Sequence, residues 1–504
     1  MFKTMKLRDN VSGNEVSHRS WAFWAMRGLA IAALLPMIAG CFLLGPEFQA
    51  PEWDGPESWT GTAPVASPLP DGAPWWSVFG DPVLDALEAE LVEQNPSLAA
   101  AVARLDSAAA QLGISRAARA PSVDASAAVV YDRQTGEAHG SSDIPDNPSW
   151  LYKPGAAFSW ELDFWGRVRR NVEAASADVA AAAHDVRDVR RLLSAELASS
   201  YISLRTLQAR LDYACKNADL QSNTLEIVRS RREARLCGDL DVRQAEMNLA
   251  STRANIPALN AEIDSTLNSI CTLLGRYPGT REDLRIPAPV PLPDDAALPV
   301  SLPADLLRNR PDVAAAIERI HAAVAGIGSA KAEFLPKVSL SGSFAFAATD
   351  AARLFKANAQ NYSIGPAVEW PIFTAGRLLS QVREKEAYAR AAEAEFREKV
   401  LSAAAECETA LSLRRYSVAA LDDLRAAATA AEEAADLAVS LYRTGLTDFE
   451  NVLDMQRQLA SNRDSLAQGV GSAASALVEV WQAFGVPDAG SRQESHQPQK
   501  ANTK

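Results

Sequence analysis

Asn95–Pro121 reads NPSLAAAVARLDSAAAQLGISRAARAP, and Arg310–Pro336 reads RPDVAAAIERIHAAVAGIGSAKAEFLP. Laid over each other without a gap, at an offset of 215, they share ten identities from Pro96/Pro311 to Pro121/Pro336. Leu98/Val313, Val102/Ile317, Leu105/Ile320, Leu112/Ile327 and Arg116/Lys331 match in kind. Both stretches are alanine-rich helices by composition, and both run to a proline. Proline disfavours helix at the residue before it. Each helix is therefore expected to stop at Pro121 or Pro336 and give way to a different structure.

Beyond each proline the residues alternate. Val123, Ala125, Ala127, Val129 and Tyr131 are interleaved with Ser122, Asp124 and Ser126. Past a polar gap, Tyr152, Ala156, Phe158, Trp160 and Leu162 share one face, and Lys153, Gly155, Ser159 and Glu161 the other. In the second copy Val338, Leu340, Phe344 and Phe346 alternate with Ser339, Ser341, Ser343 and Ala345. Tyr362, Ile364, Val368 and Trp370 then oppose Asn361, Ser363, Gly365 and Glu369. Segments of about ten residues with period 2 and aromatics toward their ends have the pattern of outer-membrane strands. A soluble hairpin with one face on a helix gives the same alternation, and pattern alone leaves it open. Four strands cannot close a barrel, and lipid does not tolerate an open edge. Four from each of three chains would make twelve, within the known range.

The strands lead into long helices. Gly166 to about Ala234 contains no proline, some 68 residues or about 100 Å at 1.5 Å per residue. Gly376–Tyr442 repeats it at similar length. Helices this long exceed a globular core and imply coiled-coil packing. Each is followed by a turn signal, RLCGDLDV or RTGLTDFENV, and a shorter helix ending at Gly275 or Gly485. These parts align at an offset of 210: Trp160/Trp370, Gly166/Gly376, Arg167/Arg377, Val242/Val452, Leu249/Leu459 and Arg253/Arg463. The change of offset falls in the hairpin loops, where length varies most freely. The chain is thus a tandem repeat. Its first copy spans 95–275, with a hairpin at about 122–163, a long helix 166–234 and a helix 240–275. A proline-rich linker, 276–303, leads to the second copy, 304–485, with hairpin 337–371, long helix 376–443 and helix 447–485. Residues 486–504 form a polar tail.

The 504 residues carry a net charge of -13, which argues against a nucleic-acid surface. RGLAIAALLPMIAGC, ending at Cys41, is one arginine, a short apolar run and a small-residue close, the form of an export signal over 1–40. Met26 is the expected start of that signal, because residues 1–25 carry Asp9 and Glu15. Ile38-Ala39-Gly40-Cys41 resembles the bacterial lipobox, which implies acylation of Cys41 with N-acyl diacylglycerol. Phe42, where an aspartate would retain such a protein, implies passage to the outer membrane. No later apolar run approaches the roughly 20 residues of a spanning helix.

WWSVFGDPVLDAL, WELDFWGRVRR, LPADLLRNRPDV, AKAEFLPKVSLSGS, WPIFTAGR and YRTGLTDFENVLDMQRQLA stand in this order from Trp75 onward. Together they closely resemble the outer membrane factor family, the TolC-like channels, and its lipoprotein branch typified by OprM and NodT. The resemblance covers about Ala73 to Gly485. It implies a mainly helical fold with membrane β, in which a long-helix α-barrel continues a transmembrane β-barrel of twelve strands per homotrimer. Residues 41–94 become the lipidated N-terminal segment and equatorial region. The implied function is a passive efflux duct in the outer membrane, fed by a periplasmic adaptor and an inner-membrane pump. Asp241 and Asp454 fall where the family's gate acids stand, with Asp448 and Glu450 close by, and Tyr442 where a gate tyrosine tethers neighbouring helices. Rings of carboxylates in a pore attract cations; in a helix's first turn they equally suit the macrodipole. Adaptor docking is implied at Arg235, Leu236 and Gly238 and at Gly445, Leu446 and Thr447. Arg235 departs from the family's usual glycine, which puts the fit of the first turn in question, and Asn451 replaces an acid.

Enzymatic readings find little support. The five histidines are scattered, and no Cys-x-x-Cys or paired carboxylates stand out. GIGSAK, Gly326–Lys331, has no preceding strand, so small-residue packing explains it better than a nucleotide loop. No cofactor or metal is expected. The competing class is a lipid-anchored coiled-coil scaffold or adhesin with no pore.

Overall fold

The computed structural model describes residues 43–51, 73–132, 148–293 and 310–485. Cys41, the signal segment, the polar tail and part of the linker lie outside the described residues. The described elements follow one order twice. Helix α1 (Pro82–Gln94) precedes α2 (Pro96–Ala117), β1 (Ser122–Asp132), β2 (Ser149–Leu162), α3 (Arg167–Glu233) and α4 (Asp239–Leu273). Then come α5 (Pro311–Ala332), β3 (Lys337–Phe346), β4 (Gln360–Glu369), α6 (Arg377–Thr444) and α7 (Phe449–Phe484). The chain divides into two compact units, 1–49, 110–177 and 321–390 in one and the remainder in the other, so each draws on both copies.

The first unit holds the sheet. Its four strands are antiparallel in the order β1-β2-β3-β4, which leaves β1 and β4 as edges. Register sorts the side chains by chemistry. Val123 faces Phe158, Tyr131 faces Trp150, Ala156 faces Phe344, and Leu162, Val338 and Val368 form one row. These belong to one apolar face. On the other, Ser122, Ser159, Ser341 and Gly365 form a row, and the Ser343 and Ser363 hydroxyls meet at 2.9 Å. The apolar face is not a hairpin seated on a helix: Val123 and Ile364 keep about 71% and 70% of their surface exposed.

The helix-to-strand crossings differ from expectation in one detail. Both helices end at Ala117 and Ala332, four residues before the prolines, and a turn fills the gap. That turn is closed by Arg119 N–H on the Arg116 carbonyl, and by Leu335 N–H on the Ala332 carbonyl. Proline keeps its predecessor out of the helical region, and the turn is the shortest way to comply. In each copy a tryptophan from the returning strand seals the crossing. The Trp160 indole donates to the Arg119 carbonyl at 2.9 Å, and the Trp370 indole to the Phe334 carbonyl at 3.1 Å. Helix α5 also corrects the expectation about apolar runs. Its 22 residues are long and apolar enough by composition to cross a membrane, though 44% of its most apolar window is buried.

The second unit is built on heptads. Buried residues of α6 include Leu421, Ala428, Ala435 and Tyr442, seven apart, and those of α3 include Ala218, Gln221, Leu225 and Val228, three or four apart. This is the 3–4 spacing of a coiled coil. Helix α1, which the sequence alone leaves inside residues 41–94, packs its buried Leu84, Leu87 and Leu91 into the larger core with Trp75, Trp76 and Phe79. Asp81 caps it, accepting from Val83 N–H at 2.8 Å while its other oxygen accepts from Tyr201 at 2.6 Å. The proline-rich linker is not free either. Leu284 is buried, and its carbonyl accepts from Gln208 at 2.8 Å. The far end of α7 is capped by Arg310 on the Ala483 carbonyl and Arg191 on the Gln482 carbonyl. Cys215, Cys237, Cys271 and Cys407 are all free.

Replacing Trp160 or Trp370 by phenylalanine removes one hydrogen bond and little apolar area. Each is expected to lower stability by about 1 kcal/mol, and the pair additively if the sites are independent, read as thermal midpoints of the detergent-solubilised protein.

Candidate functional site

The turns that end the long helices are built alike from unlike residues. In the second, Gly445 takes the left-handed conformation, φ 82°, its N–H donating to the Tyr442 carbonyl and that of Leu446 to the Leu441 carbonyl. In the first, Arg235 takes the same conformation, φ 55°. Its N–H donates to the Arg232 carbonyl and that of Leu236 to the Arg231 carbonyl. Both are Schellman closures. The arginine therefore closes its turn with the same pair of hydrogen bonds as the glycine does. Leu236, Leu240 and Leu446 stand exposed around the turns. Gly238 begins α4, and Thr447 accepts from Asn451 at 2.9 Å.

A compact cluster joins these turns. Val228, Leu225, Ala245 and Leu249 from the first copy pack with Tyr442, Phe449, Val452 and Leu453 from the second. At its centre the Arg231 guanidinium lies 4.6 Å over the Tyr442 ring and donates to the Tyr442 carbonyl at 2.6 Å and the Arg443 carbonyl at 3.2 Å. A cation here gives the Tyr442 carbonyl a second donor beside the Gly445 N–H and faces the negative end of the α6 dipole, while the ring adds a cation–π contact. Tyr442 also touches Phe449, with ring centroids 5.3 Å apart. Its hydroxyl is buried with no hydrogen-bond partner among the described residues. Burial first, then the neighbouring Cys237 thiol and the Asp241 charge, push the phenol well above its ordinary value.

The acids surround this cluster unevenly. Asp241 lies in the first turn of α4, half-buried beside it. Asp448 is the N-cap position of α7, although its side chain makes no capping bond; Glu450 lies in that helix's first turn and Asp454 one turn on. Those three are exposed. No ion pair holds any of the four among the described residues, whereas Asp239 is taken up by Arg232 at 2.7 Å.

The residues expected from sequence did not include Arg231 or the polar seam it terminates. Arg210 pairs with Asp464 at 2.6 Å, Asn217 accepts from Arg463 at 3.1 Å, and Thr224 accepts from Gln456 at 2.7 Å. Arg210, Asn217, Thr224 and Arg231 are seven residues apart, and so are Phe449, Gln456 and Arg463. The heptad interval was visible in the sequence; the partners, over 200 residues away, were not.

A four-stranded sheet with one apolar face, together with paired long helices, has the form of an outer-membrane channel protein. The family model described as outer membrane efflux protein matches residues 87–276 and 302–486, and the chain belongs to that family. It is 30% identical to nodulation protein T of Rhizobium leguminosarum bv. viciae over 440 residues, covering 87% of this chain and 89% of that protein. With the toluene efflux pump outer membrane protein TtgF of Pseudomonas putida it shares 29% identity over 474 residues, 90% and 95% of the two chains. Among solved structures, the outer-membrane channel OprN superposes with a TM-score of 0.82 at 31% identity, covering 88% of this chain and 99% of that one.

Two substitutions test the turns. Arg235→Gly removes a left-handed non-glycine residue and is expected to raise stability by up to about 1 kcal/mol, read as a thermal midpoint. Tyr442 keeps its proton in the folded state above the ordinary phenol value of about 10, whereas the unfolded chain loses it there. The folded state then binds more protons, so stability falls as pH rises through that range. Tyr442→Phe is expected to flatten this alkaline loss in denaturant midpoints measured between about pH 9 and 11.

Proposed function

We propose that three copies of this outer-membrane efflux protein assemble into one passive duct, four strands and four principal helices of wall from each. The observation that carries this reading is the sheet: one apolar face left uncovered, one hydroxyl-rich face, and two strand edges with no partner among the described residues. In lipid the first suits acyl chains and the second a water-filled lumen, and the edges demand neighbouring copies. Cys41 is the acylated N-terminal residue. The clustered turns form the periplasmic end, where Asp241 and Asp454 from three copies ring the opening with Asp448 and Glu450 nearby, and favour cations. Arg231 and Tyr442 hold that end shut. Arg235, Leu236, Gly238, Gly445, Leu446 and Thr447 offer the adaptor two turns of one shape with exposed leucines. An inner-membrane pump supplies the energy and selects the substrate.

The test is conductance across planar bilayers. The wild-type protein is expected to give small, cation-preferring channels, Arg231→Ala larger ones, and Asp241→Asn with Asp454→Asn a weaker cation preference. No conductance from any of them, with extraction of the protein by salt alone, fits the scaffold reading instead.

A further inference from the structure

Gly328, within GIGSAK, is crowded by a segment that the duct does not explain. The N-terminal stretch Leu43–Phe48 runs beside α5 without regular structure of its own. A Cβ on Gly328 would lie 2.5 Å from the Leu44 carbonyl oxygen and 2.9 Å from Arg170 Nε, and one on Gly45 would strike the Gly328 backbone. The two glycines let two main chains touch. Around that contact, Arg170 Nε donates to the Leu44 carbonyl at 3.1 Å, and its Nη1 pairs with Glu173 at 2.8 Å. Glu173 in turn lies 3.3 Å from His321 Nε2, and the His321 ring lies flat on Phe48, with centroids 4.4 Å apart and 13° between planes.

The repeat supplies an internal comparison. Gly113 is the counterpart of Gly328, and nothing comes within 4 Å of a Cβ built there. Asp106 stands where His321 does, and Ser380 where Arg170 does. The helix glycine exists twice, but the side chains that grip the segment exist once.

We propose that Leu43–Phe48 is a clasp that registers the lipid-bearing N-terminus on α5 and the first turns of α3; this rests on the reading of Cys41 as the acylated residue. Leu43 lies against Gly166, where β2 gives way to α3. Two residues of extended chain reach at most about 7 Å, so Cys41 is confined to the neighbourhood of that crossing. Its acyl chains then enter the bilayer beside the row Leu162, Val338 and Val368, the end of the apolar face nearest the helices. The partner this seat serves is membrane lipid, delivered at a fixed height on the sheet.

Chymotrypsin cleavage after Phe48 reads the clasp, because a protease needs the segment released from its seat. The full-length lipidated protein in detergent is expected to release the Cys41–Phe48 peptide slowly. Gly328→Val, which over-packs the main-chain contact, and His321→Ala, which removes the ring stacked on Phe48 and its contact with Glu173, are each expected to speed release roughly tenfold or more, with helix content unchanged. Unchanged rates in both variants would overturn the clasp. A peptide released without acyl groups would instead overturn the lipid reading, a result distinguishable by its mass and independent of any export assay.

Discussion

The sheet's two unpaired edges constrain everything else. Beyond Ser122–Asp132 on one side and Gln360–Glu369 on the other there is no further strand among the described residues, so each edge presents main-chain donors and acceptors with nothing to bond. Water would satisfy them, but the neighbouring apolar face is that of a protein in hydrocarbon, where each unsatisfied group costs several kcal/mol. Edge and face together are what the proposed pairing of strands between copies would satisfy. In the proposed assembly, the two copies of the repeat would each supply a hairpin to one wall.

Holding such helices calls for a different kind of interaction. Alanine-rich faces bring helices close but bury little area per residue, so the seam is reinforced at intervals by polar ties. The four ties of α3, from Arg210 to Arg231, join the first copy's long helix to elements of the second copy. They are individually modest, since a hydrogen bond contributes about 1 kcal/mol net. The last is the most consequential, because Arg231 satisfies the end of α6 and covers Tyr442 at once.

Much of this was legible in the residues. Pro121 and Pro336 located the crossings, period-2 alternation assigned each strand's faces, and the glycines at 166, 376 and 445 bracketed the long helices to within a residue or two. What stayed hidden depends on contacts between distant positions. The helices stop short of their prolines because the chain needs a turn there, and the tryptophans that seal those turns are ordinary interfacial aromatics when read alone. Helix α1 was masked by its flanks, since a 13-residue element beside prolines and tryptophans looks like linker. Glycine is the usual left-handed cap, yet the closing hydrogen bonds hold Arg235 in that conformation all the same. Arg231, which contacts both the ring and the carbonyl of Tyr442, was not among the residues named from sequence.

The measurement that bears most directly on this account is the mass of the lipidated protein in detergent, by light scattering corrected for bound detergent and lipid. The account predicts a particle of three chains that comes apart only when the sheet unfolds. A stable single-chain particle whose β-structure is intact would contradict it, because the edges of that sheet would then need no neighbour.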